Sequence, residues 1–141
     1  MPARFRIFPR HNLIVTTFRG VVTTAEYVQV YSELTSSPDF RVEQVELADF
    51  TAVTDLALEA HEIRGLASRV GERYRDHQVF TAMICGSDAT FGQARMYQAL
   101  AELAGGETVH VFRDRAPAVE WLGLGALPPE VLTPPEVKAP C

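Results

Sequence analysis

The sequence predicts an α/β domain built on a five-stranded, mostly parallel sheet with an N-terminal hairpin and about four helices. Three observations carry that prediction. The run Val79-Phe80-Thr81-Ala82-Met83-Ile84-Cys85 is apolar without the polar alternation of a one-sided sheet, so helices should cover both of its faces. Strand patterns then alternate with helix patterns along most of the chain, which implies right-handed crossovers between parallel strands. Finally, each helix pattern carries one apolar stripe suited to packing on a sheet.

Taken in order, Arg4-Phe5-Arg6-Ile7-Phe8 alternates polar and apolar residues, Pro9-Arg10-His11-Asn12 supplies turn chemistry, and Leu13 to Phe18 is a second strand. Gly20 should end this hairpin. Thr23-Thr24-Ala25-Glu26 is a capping box opening a helix with Tyr27, Val30, Tyr31 and Leu34 on its buried stripe, and Ser36-Ser37-Pro38 stops it. Glu43 to Phe50 reads as a strand with Val45 and Leu47 on one face and Ala48 and Phe50 on the other. A linker from Thr51 to Leu58 leads to a helix whose core positions are Ile63, Leu66, Ala67 and Val70, running out near Tyr74. Within it Gly65 and Gly71 either weaken the helix by about 1 kcal/mol each or permit close packing.

The run from Val79 to Cys85 should be the middle strand, and the turn Gly86-Ser87-Asp88 feeds the helix on which the rest is arranged. Asp88 or Ser87 can cap that helix and Gly105-Gly106 closes it. Steps of about 100° bring Gly92, Met96, Ala99, Leu100 and Leu103 onto one face, which is read as buried, and Phe91, Arg95, Gln98 and Glu102 onto the other. Phe91 and Arg95 are one turn apart and can stack. Phe91 then either staples the preceding loop to the helix or marks a ligand or partner surface. Thr108 to Phe112 forms the last strand, and Asp114 caps a short helix carrying Ala118, Trp121 and Leu122. From Gly125 the prolines at 128, 129, 134, 135 and 140 argue against regular structure, dividing the chain into a domain at 1–124 and a proline-rich tail at 125–141. Val131, Leu132 and Val137 are the tail residues able to bury area on a neighbour.

Composition narrows the function. A chain of 141 residues can build a hydrophobic core without metal or disulfide support. Its formal charge of −5 opposes nonspecific nucleic-acid binding, which needs a basic stripe to displace counterions, so no nucleic-acid partner is expected. The arginines at 64, 69, 73 and 75 are interspersed with Glu59, Glu62, Glu72 and Asp76 and read as a solvated helix face. Two cysteines, Cys85 and Cys141, do not make a disulfide framework, and no apolar run approaches the roughly 20 residues of a membrane span. Together with an N-terminus that lacks a signal-peptide run, this predicts a cytoplasmic protein with no membrane span.

The usual signatures of catalysis are missing from the sequence: no phosphate-binding G-x-x-x-x-G-K, no G-x-S-x-G, no C-x-x-C and no histidine pair one helical turn apart. His11, His61, His77 and His110 lack local metal partners, so neither metal nor cofactor is expected. In parallel α/β sheets ligands meet the carboxyl ends of the strands. Here those ends carry Asp49 through Thr54 and Asp55, Gly86 through Thr90 and Phe91, and Arg113-Asp114, with Arg95 nearby.

The order of elements over about residues 4 to 123 resembles the STAS superfamily, which includes the bacterial anti-sigma-factor antagonists and the cytoplasmic domains of sulfate transporters. More narrowly, Ala89-Thr90-Phe91-Gly92-Gln93-Ala94-Arg95-Met96-Tyr97-Gln98-Ala99-Leu100, then Val109 to Asp114 and Ala118 to Leu122, resembles a bacterial subgroup of STAS-like, lipid-transfer-related domains of mostly unassigned role. In the antagonists a phosphorylatable serine opens the helix after the third strand. Asp49 and Asp55 match that pattern, but Leu58 or Glu59 stands in the serine's place, so the phosphorylation switch is not expected here. Glu59 would mimic a permanent charge, and Thr54 is the nearby hydroxyl. The resemblance implies a non-enzymatic regulatory or protein-interaction module, a homodimer with a protein partner still to be identified, acting through Asp49, Thr54, Asp55, Leu58, Glu59, Asp88, Thr90, Phe91 and Arg95. The alternative is a module for an apolar or acyl, lipid-like small molecule held between helices and sheet. A third is a small enzyme using Asp49, Asp88 or Arg95.

Overall fold

A computed structural model describes residues 3–132. Ala3–Phe8 (β1) and Leu13–Thr23 (β2) form the expected antiparallel hairpin, with Ala3 opposite Phe18 and Phe8 opposite Leu13. Val45–Ala57 (β3), Val79–Cys85 (β4) and Glu107–Phe112 (β5) follow in parallel, so spatial order equals chain order. The middle strand is therefore β3, and β4 lies one strand from the edge. Thr24–Thr35 (α1), Ala60–Arg73 (α2) and Asp88–Ala104 (α3) border one large core, and Arg115–Trp121 (α4) closes a smaller one on the other face.

Strand alternation builds both cores. On β3, Glu46, Ala48 and Phe50 point toward α1, α2 and α3, whereas Leu47 and Asp49 point toward α4. Two strands run further than their local sequence suggests. β2 passes Gly20 to Thr23 and β3 replaces the expected linker, because the two extensions pair with each other, Val22 with Leu56 and Thr23 with Ala57, across register shifts near Arg19 and Val21. Each extension supplies the partner the other needs.

Helix ends follow local chemistry. The capping box at Thr23 is formed: its N–H donates to Glu26 at 2.9 Å and its hydroxyl accepts from the Glu26 N–H at 3.3 Å. Ser87, not Asp88, caps α3, accepting from the Thr90 N–H at 3.2 Å. Asp114 occupies the cap position of α4 without a side-chain cap bond. The rotation of α3 corrects the expected face: Thr90, Ala94, Tyr97 and Ala101 are buried, while Met96 is 42 % and Leu103 85 % exposed. That helix carries apolar residues on both sides, and the sheet accepts the side bearing Tyr97. Past Gly125, Pro129–Leu132 (α5) forms a helical turn, since proline suits the first helical position, and Val131 is buried against the α4 side of the same domain. Val137 lies outside the described residues.

Two glycines mark close approaches. A Cβ on Gly71 would stand 2.6 Å from the Ala104 Cβ, so its absence lets α2 pack tightly against the end of α3. Gly106 has φ +88°, and a Cβ there would meet the Tyr74 carbonyl oxygen at 2.6 Å. The Gly106 carbonyl accepts from the Val79 N–H at 2.9 Å, which aligns the entries of β4 and β5. Gly106→Ala is expected to cost about 2 kcal/mol, from left-handed backbone strain plus a backbone clash, measurable by urea denaturation.

Candidate functional site

The residues expected at the carboxyl ends fall into separate arrangements. Asp49 is 1 % exposed and lies on the α4 side, ion-paired with Arg115, while the Thr51 N–H and hydroxyl donate to its Oδ1 at 2.9 and 2.6 Å. Its environment is that of an internal tie. Asp88 is exposed and accepts from Arg113 at 2.7 Å, and the same guanidinium lies 4.2 Å from the centroid of the Phe91 ring. The cation on Phe91 is thus Arg113, with Arg95 exposed on α3. Phe91 is half-buried and packs on the large core, as the staple alternative requires. Thr90 is buried and exchanges capping bonds with Ser87.

Thr54 and Asp55 are exposed on the extended part of β3, with Asp55 opposite Val21. Leu58 is half-buried against the core, and Gln93 of α3 donates to the carbonyls of Leu56 and Leu58 at 2.7 and 3.4 Å, tying the entry of α2 to α3. Glu59 is exposed at the start of α2 with His61 3.4 Å away. Arg113 brings Asp88 and Phe91 together at the start of α3, above the buried Thr90.

A cleft lies at the other end of the sheet. Strand alternation puts Thr16, Glu46, Thr81 and Glu107 on the face covered by α1, α2 and α3 near the amino ends of β2 to β5, and register makes them a diagonal: Glu46 lies opposite Thr81, Thr16 two residues after Ile14, the partner of Glu46, and Glu107 two residues before Val109, the partner of Thr81. The α1 helix supplies Tyr27 and Tyr31, α3 supplies Tyr97, and the end of α2 supplies Arg69, Arg73 and then Tyr74. Together they line a cavity of about 240 Å³. Tyr27 and Tyr31 are braced by ring contacts: Phe18, itself stacked on Phe50 at 4.5 Å, stacks on Tyr27 at 5.5 Å, and Tyr27 meets Tyr31 at a tilt at 4.8 Å.

Both glutamates are buried, at 7 and 9 % exposure, and both are held by hydroxyls. Thr16 donates to Glu46 Oε2 at 2.6 Å and Tyr31 donates to the same oxygen. Thr81 donates to Glu107 Oε2 at 2.7 Å and Tyr97 to Oε1 at 2.7 Å. Burial raises the Glu46 carboxyl from 4.5 to about 7, against the lowering effect of Thr16 and Tyr31 and with some help from the Glu107 charge. Burial raises Glu107 in the same direction, against Tyr97 and Thr81. The phenols of Tyr31 and Tyr97 are pushed well up by burial and then by the neighbouring glutamates, so they remain hydrogen-bond donors. Arg69 and Arg73 are the cationic residues of the lining, and both are exposed. The interior therefore offers acidic and phenolic groups, with positive charge at its edge.

Sequence reasoning missed this diagonal, although a signal was present. Glu46 interrupts the apolar run Val45 to Phe50, and Thr16 and Thr81 interrupt two other strands at positions whose faces alternation fixes. Nothing local shows that these positions meet.

Cys85 is buried with its thiol pushed up to about 11, chiefly by burial, so it stays protonated and weakly nucleophilic. Among the described residues, no group of three or more His, Cys, Asp or Glu side chains is placed to hold a metal ion, and no helix is long and apolar enough to cross a membrane.

No family model matches the chain, and no curated protein matches it. A solved structure does: an uncharacterised protein of the DUF3478 family with a SpoIIAA-like fold from Shewanella loihica PV-4, 20 % identical, with a TM-score of 0.55 over 85 % of this chain and 91 % of that one. SpoIIAA-like is STAS-like, and this chain's sheet, with β2 to β5 parallel and helices on both faces, is an α/β fold of that kind. This chain has the STAS-like α/β fold.

Proposed function

We propose that the protein is a non-catalytic STAS-like module, acting in the cytoplasm, that binds a small molecule in the cleft between α1 and the α2–α3 pair. The observation that carries this reading is the cavity of about 240 Å³ with Glu46 and Glu107 at its floor. Buried ionisable groups around a preformed concavity are costly to the fold, and binding sites are where such costs recur. A space of this size, lined by aromatic and acidic side chains, is suited to a small ligand. Native mass spectrometry of protein purified from its own cells is the test. A bound molecule of small mass that Tyr31→Trp displaces supports the reading. Bare protein that takes up no added small molecule overturns it.

A second reading, protein docking as a homodimer, is favoured by one observation: α3 turns Met96 and Leu103 outward on the face that also carries Arg95. Sedimentation velocity should then give a dimer that Leu103→Glu dissociates. A monomeric parent protein would remove this reading.

A further inference from the structure

We propose that the cleft selects a small organic ammonium that carries an acidic group at its far end, the ammonium seating on Glu46 and the acidic group meeting Arg69 and Arg73 at the mouth. The inference rests on the small-molecule reading and adds the chemistry of the ligand.

The floor supplies the first argument. Glu46 lies opposite Thr81 in β4, and Glu107 lies two residues before Val109, the partner of Thr81 in β5, so two interstrand steps and a two-residue offset separate the acids by about 12 Å between backbones. Their partners within the protein are hydroxyls, and the cationic side chains of the lining are both at the exposed edge. Hydroxyls stabilise a carboxylate but do not neutralise it. A cation entering the cleft therefore gains the attraction of a carboxylate that no cation among the described residues neutralises, and its binding releases the proton that burial favours on Glu46.

The hydrogen bonds distinguish the two acids. Glu107 receives a hydroxyl on each oxygen, whereas Thr16 and Tyr31 converge on Oε2 of Glu46, so Oε1 is assigned to the ligand. The walls fit the same charge: Tyr27, Tyr31 and Tyr97 belong to the lining, and aromatic residues favour ammonium groups. A fatty acid would place its carboxylate either against Glu46 or, reversed, leave the floor unpaired.

The mouth supplies the second argument. Arg69 and Arg73 are one helical turn apart at the end of α2 and belong to the cavity lining. They repel a simple amine and attract an anionic tail. A molecule with both ends satisfies floor and rim together.

Calorimetric titration with γ-aminobutyrate, n-butylamine, butyrate and n-butanol tests this, because the four differ in end groups on one short skeleton. γ-Aminobutyrate should bind at least 10-fold tighter than n-butanol or butyrate, as expected for a charge pair in a low-dielectric cleft. Glu46→Gln should abolish that preference, and Arg69→Gln with Arg73→Gln should reduce γ-aminobutyrate to the level of n-butylamine. If Glu46→Gln fails to melt cooperatively, Tyr31→Phe, which removes one donor from Glu46, should alter the amine preference without altering n-butanol. Equal or tighter binding of n-butanol or butyrate overturns the ammonium assignment and leaves the small-molecule reading intact. Binding of none of the four also overturns it, and the mass spectrum of the native protein then decides whether the broader reading falls as well.

Discussion

Replacing Arg115 by Ala is expected to destabilise the protein by about 3–5 kcal/mol, because it leaves the buried Asp49 carboxylate without its cation. Arg115 is 8 % exposed and joins two distant parts of the chain: one guanidinium nitrogen pairs with Asp49 in β3, and Nη1 donates to the Val131 carbonyl in α5 at 2.8 Å. Thr51 supports only the other Asp49 oxygen, Oδ1. In a domain of this size the loss corresponds to a fall in Tm of about 10–17 °C, readable by circular dichroism. The double variant Asp49→Asn with Arg115→Met should recover most of that loss, since neither charge then remains buried. An Arg115→Ala protein within about 1 kcal/mol of the parent would mean that water reaches Asp49. Because the tie also holds Val131, limited proteolysis should cut the variant faster before α5.

Glu46→Gln is expected to act in the opposite direction and only at higher pH. The Glu46 carboxyl titrates near 7 in the folded protein against an ordinary value of 4.5, so between those values the folded state holds a proton that the unfolded state has released. The stability contributed by the neutral acid is fully present below pH 4.5 and is lost as pH rises through about 7. At 1.36 kcal/mol per unit the loss is about 3 kcal/mol. Burial sets that value, opposed by the hydroxyls of Thr16 in β2 and Tyr31 in α1 and aided by Glu107 in β5; Tyr27 of α1, Thr81 of β4, Tyr97 of α3, and Tyr74 with Arg69 and Arg73 at the end of α2 line the same cavity. Glutamine keeps an oxygen for Thr16 and Tyr31 but never ionises. Urea denaturation should therefore find parent and variant similar at pH 4, with the variant more stable by up to about 3 kcal/mol at pH 8. A constant difference across that range would show that Glu46 is solvated. The same substitution is expected to remove amine selectivity, so stability would rise as binding is lost, the usual exchange at a strained binding site.

Much of the architecture was legible because it rests on local chemistry. Thr23 and Glu26 meet through bonds spanning three residues, Tyr27, Val30 and Leu34 share a stripe by helical geometry alone, and the apolar run at Val79 announces a strand covered on both faces. Where the sequence carried two solutions, the fold chose. The α3 helix has apolar residues all round, and only the sheet beneath selects Ala94, Tyr97 and Ala101 over Met96 and Leu103. The extensions of β2 and β3 look like a turn and a linker singly and become strands only as a pair.

The sequence by itself determined the alternation of strands and helices, the capping box at Thr23 and the acidic, weakly motif-bearing character that steers away from nucleic acid. The tertiary structure alone decided the cleft. Thr16, Glu46, Thr81 and Glu107 are spaced 26 to 35 residues apart along the chain and become neighbours through parallel register, with tyrosines from two helices closing over them. Burial then raises both carboxyls, a property that belongs to no residue singly, because desolvation depends on what every other element has placed around it.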